Sequence, residues 1–203
     1  MNLTNYYWYF KSVVPERICD DISKYGKQLQ EQMAVTGGYG DSKKLNKKQV
    51  TDLKKKRDSD IVWMNDRWVY KEIQPYIHQA NANAGWNFEW DWSESCQFTE
   101  YKKGQFYDWH CDSDDRKRII TAVYYFHKEP KKYKGGEIEL SKSPSAFGKI
   151  VDDNKDNVIT IPPENNMMVI FAGNVSHRVK ATESPKKFDL GRFSVNCWIG
   201  KNE

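Results

Sequence analysis

The stretch Gln97-Phe-Thr-Glu-Tyr-Lys-Lys-Gly-Gln-Phe-Tyr-Asp-Trp-His-Cys-Asp112 holds the end of one β-like run, a turn and a second run. Aromatic and β-branched residues suit extended backbone, and the glycine of the lysine-rich segment between the runs marks a turn. The runs read as Ser95–Tyr101 and Gln105–His110. Residues i and i+2 of an extended segment point to the same side. His110 and Asp112 can therefore grip one ion from the end of a strand.

Outward from this hairpin, further short β-like runs recur at Arg118–Phe126, Glu137–Leu140, Asn157–Ile161, Met167–Phe171, His177–Lys180 and Gly191–Ile199. Gly, Pro, Asp and Asn turns separate them. Many short strands at such spacing predict two packed antiparallel sheets, as in a jelly roll. The N-terminal half reads differently. Apolar Ile18, Ile22, Tyr25 and Leu29 recur at spacings of three and four, which predicts an amphipathic helix from about Pro15 to Met33. Gly37, Gly38 and Gly40 then break the pattern, and a lysine-rich stretch from about Thr36 to Ser59 reads as a mobile loop. A short strand at Asp60–Met64 and a second helix over Asp66–Ala84 follow. The expected fold is mainly β with flanking helices: a double-stranded β-helix (jelly roll) core with the N-terminal helices packed on one sheet. One domain is expected over residues 1–203, with helices and the mobile loop in 1–94 and the core in 95–200.

Composition narrows the class. At 203 residues the chain can bury one proper core, and 38% hydrophobic with 30% charged residues fits neither a disordered nor a membrane protein. Eight Trp and twelve Tyr suit a β-rich core and an aromatic cleft. The net charge of +4 is modest, and aspartates interrupt the lysine runs, so charge gives no reason to expect nucleic acid as a partner. Cys19, Cys96, Cys111 and Cys197 form no paired motif, which points to a reducing cytoplasm. No run is long and apolar enough to suggest a membrane span or a secretory signal.

His177 lies on a later strand and can complete a face with His110 and Asp112. Two His and one carboxylate leave three adjacent octahedral positions open, which suits non-haem iron(II). Zinc accepts the same ligand types. A polar strand-end His110 and a satisfied core His177, with no metal, is the plain alternative. Further along, alternation in Gly191-Arg-Phe-Ser-Val-Asn-Cys-Trp198 puts Arg192, Ser194 and Asn196 on one strand face. A buried guanidinium there needs an anionic partner, either a structural carboxylate or a bound dicarboxylate.

The spacing from Tyr101 to Asp112 resembles the "YxxGxxYxxHxD" signature of 2-oxoglutarate- and iron(II)-dependent prolyl hydroxylases. Thr121-Ala-Val-Tyr-Tyr-Phe126, Gly135-Gly-Glu137, Phe171-Ala-Gly-Asn-Val-Ser-His177 and Gly191–Trp198 follow in the family's order. Arg57-Asp-Ser-Asp-Ile-Val-Trp63 looks like the segment after the mobile substrate loop of the hypoxia-sensing members. The resemblance covers about residues 55 to 200.

It implies His110, Asp112 and His177 as iron ligands and Arg192 on the distal carboxylate of 2-oxoglutarate. Tyr101, Tyr125 and Ser194 would line the cosubstrate pocket. Tyr107, Trp198, Arg118 and Arg57 would stand at the substrate end. Implied cofactors are Fe(II), 2-oxoglutarate and dioxygen, with ascorbate added from the family. The implied reaction hydroxylates a prolyl residue in a peptide or protein, releasing succinate and carbon dioxide. The same core acting on another side chain, a small molecule or a nucleobase is the first alternative, and a non-catalytic metal-binding module is the second. Two departures stand out. The interval from Tyr101 to His110 is one residue shorter than in the hypoxia-sensing enzymes, and the gap from His177 to Arg192 carries the added segment 183–190. Arg178 is a rival anion binder, but alternation sends it away from His177. His78 and His127 have no partner at ligand spacing.

Overall fold

The computed structural model describes residues 5–36, 46–113, 117–142, 157–183 and 191–202. Strand β1 (Tyr7–Lys11) is followed by helices α1 (Glu16–Thr36) and α2 (Lys47–Lys56), strands β2 (Arg57–Asp58) and β3 (Asp60–Met64), and helix α3 (Trp68–Asn83). Next come β4 (Trp92–Ser93), β5 (Cys96–Tyr101), β6 (Phe106–His110), β7 (Arg118–Phe126), β8 (Lys134–Gly135) and β9 (Ile138–Ser141). The chain closes with β10 (Val158–Ile161), β11 (Met167–Ala172), β12 (His177–Val179), β13 (Thr182–Glu183) and β14 (Arg192–Gly200).

The major sheet runs β1-β11-β7-β14-β5-β3, with β4 also paired to β14, and the minor sheet runs β10-β9-β12-β6-β2. All pairings are antiparallel. This is the jelly-roll core that the strand spacing predicts. Both faces of the major sheet are buried, and alternation divides its side chains between them. Phe98, Tyr124, Phe126, Phe193 and Val195 face the helices, where they meet Ile22, Val69, Ile73 and Ile77. Val123, Tyr125, Val169 and Phe171 face the minor sheet and meet Ile138, Leu140 and Ile161. Each fully buried side chain of this kind contributes about 1.5–3 kcal/mol. The intersheet core occupies only part of the space between the sheets, and the rest is the cleft.

Helix α1 lies close on β5 because residue 26 is glycine: a Cβ there would sit 2.0 Å from the Phe98 ring. Its first turn starts from Pro15, whose carbonyl accepts the N–H groups of Ile18 and Cys19.

Two expectations change. The expected mobile loop over 36–59 is helical and then extended in its second half, as α2 and β2. Asn46 and Gln49 form a capping box, and lysines in the last turn complement the helix dipole. Residues 37–45 of that expected loop lie outside the described residues. The N-terminal region also contributes a strand that the sequence does not predict: β1 adds to β11 at one edge of the major sheet, while the expected strand Asp60–Met64 is β3, paired with β5 at the other. The added segment between His177 and Arg192 begins in β13, and its residues 184–190 are outside the described set.

Candidate active site

His110 of β6 stands opposite His177 of β12. Two residues on, Val179 pairs with Tyr107, so β6 has one more residue than β12 over this interval. The bulge turns both Tyr107 and His110 into the cleft, where their rings stack at 3.5 Å and 12°. Asp112 is held just past β6. The Gly173 carbonyl accepts the backbone N–H groups of Asp112 and Ser113, each at 3.0 Å. A Cβ on Gly173 would lie 2.4 Å from the Arg118 carbonyl oxygen, so backbone packing there requires glycine.

These anchors bring three side chains together. His110 Nε2 is 3.9 Å from Asp112 Oδ1, and His177 Nε2 is 3.4 Å from Asp112 Oδ2. The three donor atoms lie within 4.8 Å of one another, the one such cluster among the described residues. The Nδ1 of His110 is 2.7 Å from the Asp108 carbonyl, and that of His177 is 3.0 Å from the Val175 carbonyl. A carbonyl only accepts, so each Nδ1 carries a proton and each Nε2 is the ring nitrogen left facing the cluster. Burial, reinforced by repulsion from His177, pushes the His110 imidazole down to about 3, so it is neutral at physiological pH. Burial alone would raise the Asp112 carboxyl, but His177 and His110 outweigh it and hold the group below its ordinary value. Thr121 Oγ1 donates to Asp112 Oδ2 at 2.8 Å. The Trp198 indole N–H also favours the carboxylate, although it lies outside hydrogen-bonding geometry and has no other partner among the described residues. Two imidazole nitrogens and a carboxylate, aimed at one point, are a donor set for a divalent transition metal.

Deeper in the cleft, Arg192 pairs across strands with Tyr101 and is 1% exposed. Its guanidinium lies 4.5 Å from the Tyr101 ring centre and 5.0 Å from that of Tyr125. Nε donates to the Gly136 carbonyl at 3.1 Å and Nη1 to Ser194 Oγ at 3.2 Å. Arg192 Nη2 and the Tyr125 hydroxyl beside it are two of the buried groups with no hydrogen-bond partner among the described residues. Burial pushes the Tyr125 phenol up, so it remains a neutral donor. Buried polar groups are normally satisfied, and an unmatched guanidinium N–H is costly. This end of the cleft fits a carboxylate.

At the outer end, Arg57 lies 4.7 Å from the Tyr107 ring centre and donates to Gln97 Oε1 and Ser59 Oγ, each at 2.9 Å. Trp198 lines the same cleft and meets Trp63 at 5.9 Å. Arg118 is engaged: it makes a two-pronged pair with Glu94 at 2.8 and 2.6 Å and lies 4.0 Å from the Trp198 ring centre. Its Nη1 is 3.7 Å from Asp112 Oδ1, so its guanidinium braces the Trp198 ring and the Asp112 carboxylate. The cleft has an empty volume of about 400 Å³, counting the space open to solvent at its mouth.

Of the residues singled out in the sequence, His110, Asp112, His177, Tyr101, Tyr107, Arg57, Arg192, Ser194 and Trp198 line this one cleft. Tyr125 lies under Arg192, and Arg118 borders Trp198. Arg178 points away, ion-paired to Glu139 at 2.6 Å. Thr121, Glu94 and Gln97 also shape the site and were not singled out. Alternation from Tyr125 through Val123 points to Thr121, whereas no local signal pairs Glu94 with Arg118 across 24 positions.

A family model for the 2OG-Fe(II) oxygenase superfamily matches residues 96–200. A PKHD-type hydroxylase of Synechocystis sp. is 37% identical over 109 residues, which is 52% of this chain but only 35% of that protein. The chain thus matches about a third of the length of this relative. Among the solved structures that share the fold, two at 18% identity illustrate the likeness. One is a Pseudomonas putida prolyl-4-hydroxylase, with a TM-score of 0.64 over 98% of this chain and 95% of that one. The other is a Trichoplax adhaerens prolyl hydroxylase in complex with a hypoxia inducible factor peptide fragment, with a TM-score of 0.60 over 98% and 84%. The family match spans every strand lining the cleft except β2, and on that ground the chain belongs to the 2OG-Fe(II) oxygenase superfamily.

Proposed function

We propose that this chain is a 2-oxoglutarate- and Fe(II)-dependent dioxygenase that hydroxylates a prolyl residue in a peptide or protein. The observation that carries the reading is the pairing, in one cleft, of the His110, Asp112 and His177 cluster with the unmatched donors of Arg192 and Tyr125. His110, Asp112 and His177 would hold the iron. Arg192, with Tyr125 and Ser194, would receive the distal carboxylate of 2-oxoglutarate through charge-assisted hydrogen bonds, over the face of Tyr101. Bound iron, with 2-oxoglutarate and dioxygen, supplies an oxidant for an unactivated C–H bond and leaves succinate and carbon dioxide. The protein's own part is positional. The two backbone carbonyls fix the imidazole tautomers, Thr121 orients the carboxylate, and the two sheets exclude water around both. Tyr107, Trp198 and Arg57 form a flat-walled mouth suited to a pyrrolidine ring, with Arg118 bracing Trp198. Substrate class is supported by the peptide in the Trichoplax adhaerens complex, and a reducing cytoplasm by the cysteine spacing.

The test is succinate release that requires both added Fe(II) and 2-oxoglutarate and is lost in His110→Ala and Asp112→Ala. Mass spectrometry should then find one added oxygen on proline in candidate peptides. No succinate and no 2-oxoglutarate binding would overturn the oxygenase; succinate with oxygen added only to other substrates would overturn the proline assignment.

A further inference from the structure

Helix α2 carries five lysines, Lys47, Lys48, Lys54, Lys55 and Lys56, against the single acid Asp52. This formal excess in ten residues equals the +4 of the entire chain. All five lysines are exposed. Of these, Lys54 and Lys55 form ion pairs, with Asp58 at 3.9 Å and Asp52 at 3.0 Å; Lys47, Lys48 and Lys56 form none among the described residues. Leu53, on the same helix, is 52% exposed. The helix runs straight into β2, where Arg57 pairs with Tyr107 of β6, and β6 ends on His110. Its basic C-terminal turn therefore sits at the rim of the cleft.

We propose that α2 is a docking surface for an acidic segment of the polypeptide substrate, displaced along the substrate chain from the residue that enters the cleft. This rests on the reading of the site as a peptide hydroxylase. The helix is about 15 Å long and so can face roughly four or five extended residues. Lysines supply the steering field and the exposed leucine an apolar contact within it. Two acids break the basic character on the way to the metal cluster: Asp58 follows the helix, and Asp108 is exposed on β6. A nucleic acid carries a charge at every nucleotide and would meet both. A polypeptide can set its acids against α2 and pass the aspartates with neutral residues. That difference favours polypeptide.

The experiment uses the full chain loaded with Mn(II) and 2-oxoglutarate, which binds without turnover. Fluorescence anisotropy compares three labelled probes: a proline-containing peptide with a flanking Asp/Glu run, its Asn/Gln counterpart, and an oligouridine of matched charge. The acidic peptide should bind about tenfold tighter than the neutral one at low salt, with the advantage shrinking as salt rises. The triple variant Lys54→Glu, Lys55→Glu, Lys56→Glu should erase that advantage, and the corresponding Gln triple should reduce it. Circular dichroism and 2-oxoglutarate affinity should match the parent in both. Equal binding of acidic and neutral peptides, an unchanged preference in the Glu triple, or tighter helix-dependent binding of oligouridine would overturn the proposal. Proline oxidation independent of peptide charge would remove the docking surface and keep the hydroxylase. Charge-dependent binding with no oxidation under Fe(II) would do the reverse.

Discussion

Arg192 concentrates the chemistry of the inner cleft in one side chain. It is a fully buried cation whose visible partners are a carbonyl, a hydroxyl and two aromatic faces, with no carboxylate among them. Such a group leaves solvation unreplaced until an anion arrives. Replacing it by Gln keeps the length and a hydrogen-bonding end but removes the charge. A charge-assisted hydrogen bond contributes about 1.5–3 kcal/mol, so Arg192→Gln should weaken 2-oxoglutarate binding by roughly 10- to 100-fold. Calorimetric titration in the presence of Mn(II) reads this directly, and an unchanged affinity would place the cosubstrate elsewhere. The metal affinity of the same variant should stay near that of the parent, because Arg192 does not touch His110, Asp112 or His177. At this scale the sequence is informative where alternation alone decides: Arg192, Ser194 and Trp198 share a face because β14 is regular. It is silent on Asp108 and Val175, which act through backbone carbonyls that any residue type could offer.

Strand β5 shows how one element serves two environments. Tyr101 faces the cleft, while Phe98 and Glu100 point to the opposite side of the sheet. Glu100 is 3% exposed, opposite Asp60 and near Lys102 and Lys27. Burial raises its carboxyl to about 7; Lys102 pulls it down, Asp60 pushes it up and Lys27 again pulls down. Between the ordinary glutamate value of 4.5 and about 7 the folded chain therefore holds a proton that the unfolded chain has lost. Stability from this group is fully present below 4.5 and is lost as pH rises through 7. Glu100→Gln, which resembles the protonated acid, should be close to the parent at pH 4.5 and more stable at pH 8 by on the order of 2 kcal/mol. Urea unfolding at the two pH values checks it, and an equal difference at both would show that ionisation is not the cause. A charged residue on the helix-facing side of a core strand is visible in the sequence, but its burial is not. The regular strands and both long helices are legible because their apolar periods persist over many residues. Helix α2 is not, since its signal is a cap and lysines instead of an apolar stripe, and β1 is too short and too near the terminus to stand out.

For the whole molecule, the cleft draws its parts from both sheets: β6 and β12 on one side, β5, β7 and β14 on the other. Ligands bound there bridge the sandwich and exist only in the folded state, so they must shift the unfolding equilibrium. At a free concentration of 100 times Kd, one ligand adds about 2.7 kcal/mol. For a chain of 203 residues, where each kcal/mol moves Tm by roughly 2–4 °C, that is an increase of about 5–10 °C. Mn(II) should produce a first increment and 2-oxoglutarate a second, with EDTA returning Tm to its starting value. The variants then separate the two halves of the site. Asp112→Ala should lose the metal increment and most of the cosubstrate increment with it, because the keto acid end has no metal to bind. Arg192→Gln should keep the metal increment and lose much of the second. If instead Arg192→Gln removed both, the two ends of the cleft would be one rigid unit, and the division of labour between the metal cluster and the buried arginine would be wrong.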